Sequence, residues 1–300
     1  MRIHSPALLV LLLCSLLAGA ANAEPSPEPT YKDCHPGDKA ALLAVKAAFG
    51  EAYDFDVTCD RFTGRVVGLA IFQDANLTGT IPTALAGLLH LEDLTLRHLP
   101  GLSGPIPPAI GKLSNLSSLR ISWTAVSGPM PSFLGALKKL NFLDLSFNSL
   151  SGAIPAKSPH QDVYLWLSHN NLTGPIPADF GAVNFTHLDL SRNDLTGDAS
   201  GLFGRGKELQ YIDLSRNTFY FDLSGVVLPE RLYFVDVSHN AIQGSIPAQV
   251  ASMSNLNFFN VSYNRLCGPV PAGGNMARFD LYNFQHNKCL CGAPLPSCKK

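Results

Sequence analysis

One motif, recurring about every 24 residues, constrains this chain more than any other feature. Nine segments of the 300-residue sequence align on L-x-L-x-x-N-x-L-x-G-x-I-P; the clearest are residues 143–155 (LDLSFNSLSGAIP), 165–177 (LWLSHNNLTGPIP) and 235–247 (VDVSHNAIQGSIP). The second apolar position falls at Ile71, Leu96, Ile121, Leu145, Leu167, Leu190, Leu214, Val237 and Val261, in steps of 25, 25, 24, 22, 23, 24, 23 and 24 residues. A fixed period of roughly 20 to 50 residues means a stack of like units, since one such unit cannot bury its apolar face alone.

Each position of the motif has a physical task. L-x-L alternates with period two, so both apolar side chains point inward from one short strand. The later Leu and Ile fill the same interior from the other side. Asn148, Asn170, Asn193, Asn217, Asn240 and Asn264 form one column, where a buried amide can donate to and accept from the backbone of neighbouring coils. Thr124 interrupts that column in the early repeats. The Gly permits a bend, and the Pro fixes φ on the outer side. These are the marks of a leucine-rich repeat, whose unit spans roughly 20 to 29 residues. The expected fold is an α/β solenoid: a right-handed leucine-rich-repeat superhelix with a concave parallel sheet and disulfide-bonded end caps. Nine strands about 4.8 Å apart make a face roughly 40 Å long, enough for a protein-sized partner.

The expected boundaries are a signal peptide over 1–23, an N-terminal cap over 24–62, repeats over 63–271 and a C-terminal cysteine cap over 272–300. Arg2, an apolar run over 7–20 and the small-x-small end Ala21-Asn22-Ala23 have the layout of a secretory signal. The run is shorter than the roughly 20 apolar residues of a membrane span. Removing Arg2 from the 22 basic residues leaves 21 against 23 acidic ones, so no basic excess points to nucleic acid or an anionic membrane. Six cysteines remain after Cys14 is removed, and they lie only at the ends: Cys34 and Cys59, then Cys267, Cys289, Cys291 and Cys298. In an oxidising compartment an even count reads as disulfides. The cysteine-free middle favours one pair in front and two behind, with Cys267–Cys289 and Cys291–Cys298 preferred. The Cys289-x-Cys291 spacing is too tight for zinc. Residues 38–49 are expected to form the front-cap helix.

In each strand the residue between the two apolar positions, and the two residues after them, are expected to face solvent on the concave side. The first column contains Arg120, Asp144, Trp166, Asp189, Asp213 and Asp236; the second contains Trp123, Phe147, His169, Arg192, Arg216 and His239. Exposed Trp and Arg are preferred hot-spot types. The blander reading is that each Asp of L-D-L-S merely solvates its face. The Asp and His pairs arise automatically from the repeat and single out no nucleophile, so no catalytic residue, cofactor or metal site is expected. Residues 201–207 spell G-x-x-x-x-G-K, but Glu208 stands where a phosphate loop needs Ser or Thr. Five N-x-S/T sequons, at Asn76, Asn115, Asn171, Asn184 and Asn260, are candidate glycan acceptors. Asn260, in the concave column, ranks last.

The cap start CHPGDKAALLAVKAAFG, the blocks LRISWTAVSG, FLDLSFNSLSGAIP and LDLSRNDLTGDAS, and the tail NRLCGPVP…HNKCLCGAPLPSC resemble plant polygalacturonase-inhibiting proteins. The resemblance covers nearly all of the chain after the signal. It implies a secreted plant cell-wall protein, not an enzyme, that binds fungal endo-polygalacturonases with its concave face and blocks pectin cleavage in defence. Pectin is a second implied partner. Two departures stand out. Only GEAYDFDVT separates Phe49 from Cys59, where the family usually has a cysteine-rich stretch with a Trp; this leaves open whether Cys34 and Cys59 pair or stay free. Residues 157–164 (KSPHQDVY) replace most of one repeat, giving nine coils instead of the family's ten and an expected shift of later strands against earlier ones. The alternatives are a soluble extracellular interaction module in plant signalling or development, and a copy that folds but binds little.

Overall fold

The computed structural model describes residues 34–50, 55–156 and 163–299. The signal segment 1–23 lies outside them, as do residues 51–54 and 157–162.

Every coil makes the same circuit because every coil repeats the same apolar spacing. The inner curve has nine parallel strands. They are Val66–Phe72, the first halves of the long strands Asp93–Gly104 and Ser118–Pro129, then Phe142–Asp144, Val163–Trp166, Phe185–Asp189, Tyr211–Asp213, Phe234–Asp236 and Phe258–Asn260. Each L-x-L sends two side chains inward, and Leu143, Leu145, Leu188, Leu190 and Leu214 are wholly buried. After the strand the chain turns through one residue in the left-handed region, from Gln73 to His286, all with φ between 52° and 58°. A second parallel ribbon follows, built from strands such as Ser149–Ala153, Asn171–Pro175 and Asp194–Gly197. Short 3-10 turns such as Pro108–Lys112 and Ala178–Ala182 close the outer side after the Pro of the motif.

The Asn column is a hydrogen-bond ladder. Asn217 Nδ2 donates to Leu190 O at 2.9 Å and Leu214 O at 3.1 Å, while its Oδ1 accepts from Leu195 N at 3.0 Å. The same side chain thus ties its own turn to the coil before it and satisfies backbone groups that have no water to bond. Thr124 makes none of these carbonyl bonds: its hydroxyl donates to Asn148 Oδ1 and accepts from Val126 N at 3.2 Å. The ladder runs past the last motif: Asn287 Nδ2 donates to Val261 O at 3.0 Å, and His286 repeats the left-handed turn. A partial tenth turn therefore lies inside the back cap.

The expected shift of later strands does not occur. Leu143 pairs with Leu165 and Asp144 with Trp166 across the short coil, and the register runs on as Asp189, Asp213, Asp236 and Asn260. On both sides of the 22-residue step the inner strand is complete and in register.

Both ends are covered. The cap helix Pro36–Phe49 has Pro at its start and turns Leu42, Val45 and Phe49 onto the first coil. Buried Asp38 accepts from Arg65 at 2.7 and 2.8 Å and from the Val66 amide at 2.8 Å. Burial alone would raise the Asp38 carboxyl, but these donors outweigh it and hold it below its ordinary value. Cys34 pairs with Cys59, Cys267 with Cys289 and Cys291 with Cys298.

Candidate functional site

The concave face is ordered by one turn chemistry. In L-D-L-S the Asp Oδ1 accepts the amide of the Ser two residues on: 3.0 Å at Asp144, 2.9 Å at Asp189, 2.8 Å at Asp213 and 2.9 Å at Asp236. Asn260 does the same for Ser262 at 3.1 Å. Such a local bond fixes the exit of the strand. The serines lie inward whether or not an Asp precedes them, since Ser122 and Ser168 follow Arg120 and Trp166. Ser146, Ser168, Ser191, Ser215, Ser238 and Ser262 are buried, so the first of the two residues after the apolar pair does not face solvent as expected. The residue after it does.

Three columns therefore form the face. The middle one comprises Arg120, Asp144, Trp166, Asp189, Asp213, Asp236 and Asn260, aligned strand to strand. Along one side run the left-handed residues. His98, Trp123, Phe147 and His169 stack with ring centroids 5.1, 3.7 and 4.0 Å apart; Arg192 and Arg216 follow; His239, Tyr263 and His286 stack at 4.1 and 4.2 Å. Of the three aromatics expected to be exposed, only Trp123 is, at 43%; Phe147 and Trp166 are half-buried because their neighbours cover them.

The third column escaped sequence reading. Phe142, Tyr164, His187, Tyr211, Phe234 and Phe258 each precede the apolar pair and stack at 6.2, 4.6, 5.9, 4.3 and 4.4 Å. The triplets FLD, YLW, HLD, YID, FVD and FFN spell it out. Aromatic rings stacked at coil spacing cover one another's faces and turn their edges to solvent, so this wall desolvates the middle column more than it offers a stacking platform.

A shallow concavity of about 430 Å³ centres on Asp189, Asp213 and Asp236, with Arg192, Arg216 and His239 along its rim. Burial, then the charges of Asp189 and Asp236, push the Asp213 carboxyl up to about 7, against the pull of Ser215. Burial also raises Asp236. Tyr211 is raised by burial and by Asp189 and Asp213. His169 and His239 are lowered by burial and by Arg192 and Arg216 respectively, and His187 by burial. His187 Nε2 lies 3.2 Å from the Tyr233 hydroxyl. Among the described residues no group of three His, Cys, Asp or Glu side chains is set to hold a metal ion, and no helix is long and apolar enough to cross a membrane.

Of the sequons, Asn76 and Asn171 are exposed. Asn115 Nδ2 donates to Leu89 O at 3.0 Å, Asn184 Oδ1 accepts from Glu208 N at 3.0 Å, and Asn260 belongs to the middle column.

Comparison with known proteins agrees with this architecture. The family model described as Leucine Rich Repeat matches residues 139–158 and 163–183. A polygalacturonase inhibitor of Pyrus communis is 46% identical over 90% of this chain and 94% of its own. Polygalacturonase inhibitor 2 of Arabidopsis thaliana is 43% identical over 97% of this chain and 98% of its own. Among solved structures, a plant ice-binding protein superposes with a TM-score of 0.73 at 39% identity, covering 89% of this chain and 99% of that one.

Proposed function

The chain belongs to the polygalacturonase-inhibitor family, and from that premise we propose that it is a secreted inhibitor of fungal endo-polygalacturonases, closing the enzyme's cleft with its concave face. The observation that carries this reading is the unbroken register of the middle column, which presents Asp144, Trp166, Asp189, Asp213 and Asp236 as one strip. A cleft that holds polygalacturonate must be cationic, and an acidic strip complements it. Trp123, Phe147, His169, Arg192, Arg216 and His239 flank the strip on one side, with Arg120 at its front. The arginines of that flank are also the groups a pectin carboxylate would meet. Three disulfides suit a chain that matures in an oxidising compartment and reaches the plant cell wall. The role is occlusion, not chemistry on the substrate.

The experiment is residual pectin hydrolysis when purified protein is mixed with a panel of fungal polygalacturonases. Dose-dependent loss of hydrolysis with at least one enzyme is expected. Full hydrolysis with all of them, together with no detectable complex, rejects the reading. Capture of receptor ectodomains alone would favour a signalling role.

A second reading is favoured by a separate observation. The first six coils each place a Ser or Thr on the second ribbon, at Thr78, Ser103, Ser127, Ser151, Thr173 and Thr196, with Thr78, Ser151 and Thr173 exposed. A regular array of small hydroxyls, displaced two residues along the ribbon from one coil to the next, suits a lattice of ordered water, and the ice-binding relative is 39% identical to this chain. Thermal hysteresis of the purified protein, reduced by Ser151→Lys and Thr173→Lys together, is the expected result. Freezing behaviour equal to that of a matched albumin solution would discard it.

A further inference from the structure

The concave face runs one level past its last strand. Val261 N donates to Asn283 O at 2.9 Å, just as Val237 N donates to Asn260 O at 2.9 Å and Leu214 N to Asp236 O at 2.8 Å. Asn283 therefore follows Asn260 in the middle column, and Leu281 follows Phe258 in the aromatic row. His286 follows Tyr263 among the left-handed residues, stacked on it at 4.2 Å. The position between Leu281 and Asn283 breaks the pattern. Its equivalents Ile212, Val235 and Phe259 point inward and are at most 2% exposed, whereas Tyr282 is 66% exposed and its neighbour Leu281 43%.

The cause is local. Leu281–Asn283 is a 3-10 turn, whose side chains repeat every three residues and not every two. Phe279 and Phe284 are buried in its place, 6.0 and 6.4 Å from the Phe259 ring, so the core closes without Tyr282. The turn is fastened at both ends: Asp280 Oδ1 accepts from the Tyr282 amide at 2.9 Å, and Asn283 Oδ1 accepts from the Asp280 amide at 3.0 Å. Reciprocal caps of this kind hold two adjacent apolar side chains in water with little freedom left to lose on contact. What covers them follows from where they stand. A protein seated on the strip from Asp144 to Asn260 meets the next level as well, since the columns continue into it. The preceding levels present Asp189, Asp213, Asp236, Arg192 and Arg216, and charged groups govern encounter and discrimination. A rigid Tyr beside a Leu belongs to the class of contacts that governs dissociation.

We infer that Leu281 and Tyr282 are the apolar anchor of the concave face, packing against an aliphatic or aromatic loop at the lip of the polygalacturonase's cationic cleft. This rests on the reading of the concave face as the polygalacturonase surface, and it extends that surface beyond the last inner strand into the back cap. The charged columns bring the enzyme on; the capped turn keeps it there.

The test is Leu281→Ser together with Tyr282→Ser in the full mature protein, which leaves the Asp280 and Asn283 caps in place. Tyr220→Ser is the control, since Tyr220 is exposed to a like degree, 62%, but its amide donates to Gly197 O on the second ribbon. Association with and dissociation from an immobilised polygalacturonase are timed by surface plasmon resonance at two salt concentrations. The double variant is expected to dissociate about tenfold faster, with its association rate, salt dependence and melting temperature unchanged. Tyr282→Phe, which keeps the ring, and Tyr220→Ser are both expected to match the wild type. Equal dissociation of wild type and double variant overturns the inference and leaves the inhibitor reading standing, as does an equal loss in Tyr220→Ser. No complex with any enzyme of the panel removes that reading and the inference with it. A self-associated species in sedimentation velocity that the double variant loses assigns the pair to a second copy of the chain, and this too overturns the inference.

Discussion

Asp213 performs two tasks at once, and they pull against each other. Its Oδ1 shapes the turn through the Ser215 amide, while burial and the neighbouring acids push the carboxyl up to about 7. An unfolded chain has no such neighbours, so its Asp titrates near the ordinary value of about 3.9. The folded form therefore binds the proton more tightly, and the stability this gives is present at low pH and lost as pH rises through about 7. Asp213→Asn should gain on the wild type across that interval and keep its advantage above it; urea melts of both proteins over this pH range check the slope, and parallel curves would refute it. Trp123 is the opposite case, exposed at 43% and held by stacking against His98 and Phe147. Trp123→Ala should leave thermal stability nearly unchanged and weaken binding of an inhibited polygalacturonase about 30-fold, as loss of an aromatic hot spot does. Equal affinity would remove Trp123 from the contact surface.

At the level of strand and turn, the Asn ladder carries more than any single apolar contact. Asn217→Ala would strand the Leu190 and Leu214 carbonyls and the Leu195 amide in the interior. Its expected cost is about 3 kcal/mol in chemical denaturation; a loss no larger than that of a surface substitution would show that water enters the ladder. The inner strand, the ladder and the middle column were legible in the sequence because all three follow from period two and a fixed repeat length. The buried serines were not. Their burial comes with the turn that follows the strand and holds even at Ser122 and Ser168, which have Arg120 and Trp166 two residues back in place of Asp; alternation alone does not reveal it. The row from Phe142 to Phe258 was missed for another reason: a residue outside the apolar pair has no required polarity, so nothing in the motif marks it. The strand shift expected from residues 157–164 did not follow because the inner register is set by L-x-L and the turn after it.

For the molecule as a whole, the two caps close a core that would otherwise end in bare Leu side chains. Replacing Cys267 and Cys289 with Ser removes a cross-link spanning 22 residues, worth on the order of 3 kcal/mol. Hydrogen exchange should then show the last coils opening before the middle ones; uniform loss of protection would mean that the solenoid unfolds as one unit. Exposed Asn76 and Asn171 should carry glycans, whereas Asn115, Asn184 and Asn260, whose amides are already bonded, should not. Peptide mapping of plant-expressed protein would decide it, and a glycan on Asn260 would seal the last inner strand. The equivalence of Asn260 with the aspartates before it reaches further. Since either side chain can fasten the same bend, a lineage can flip any rung between anionic and neutral without touching the scaffold. On the proposed inhibitor reading, the face can thus follow a changing enzyme one residue at a time, on a frame that stays still.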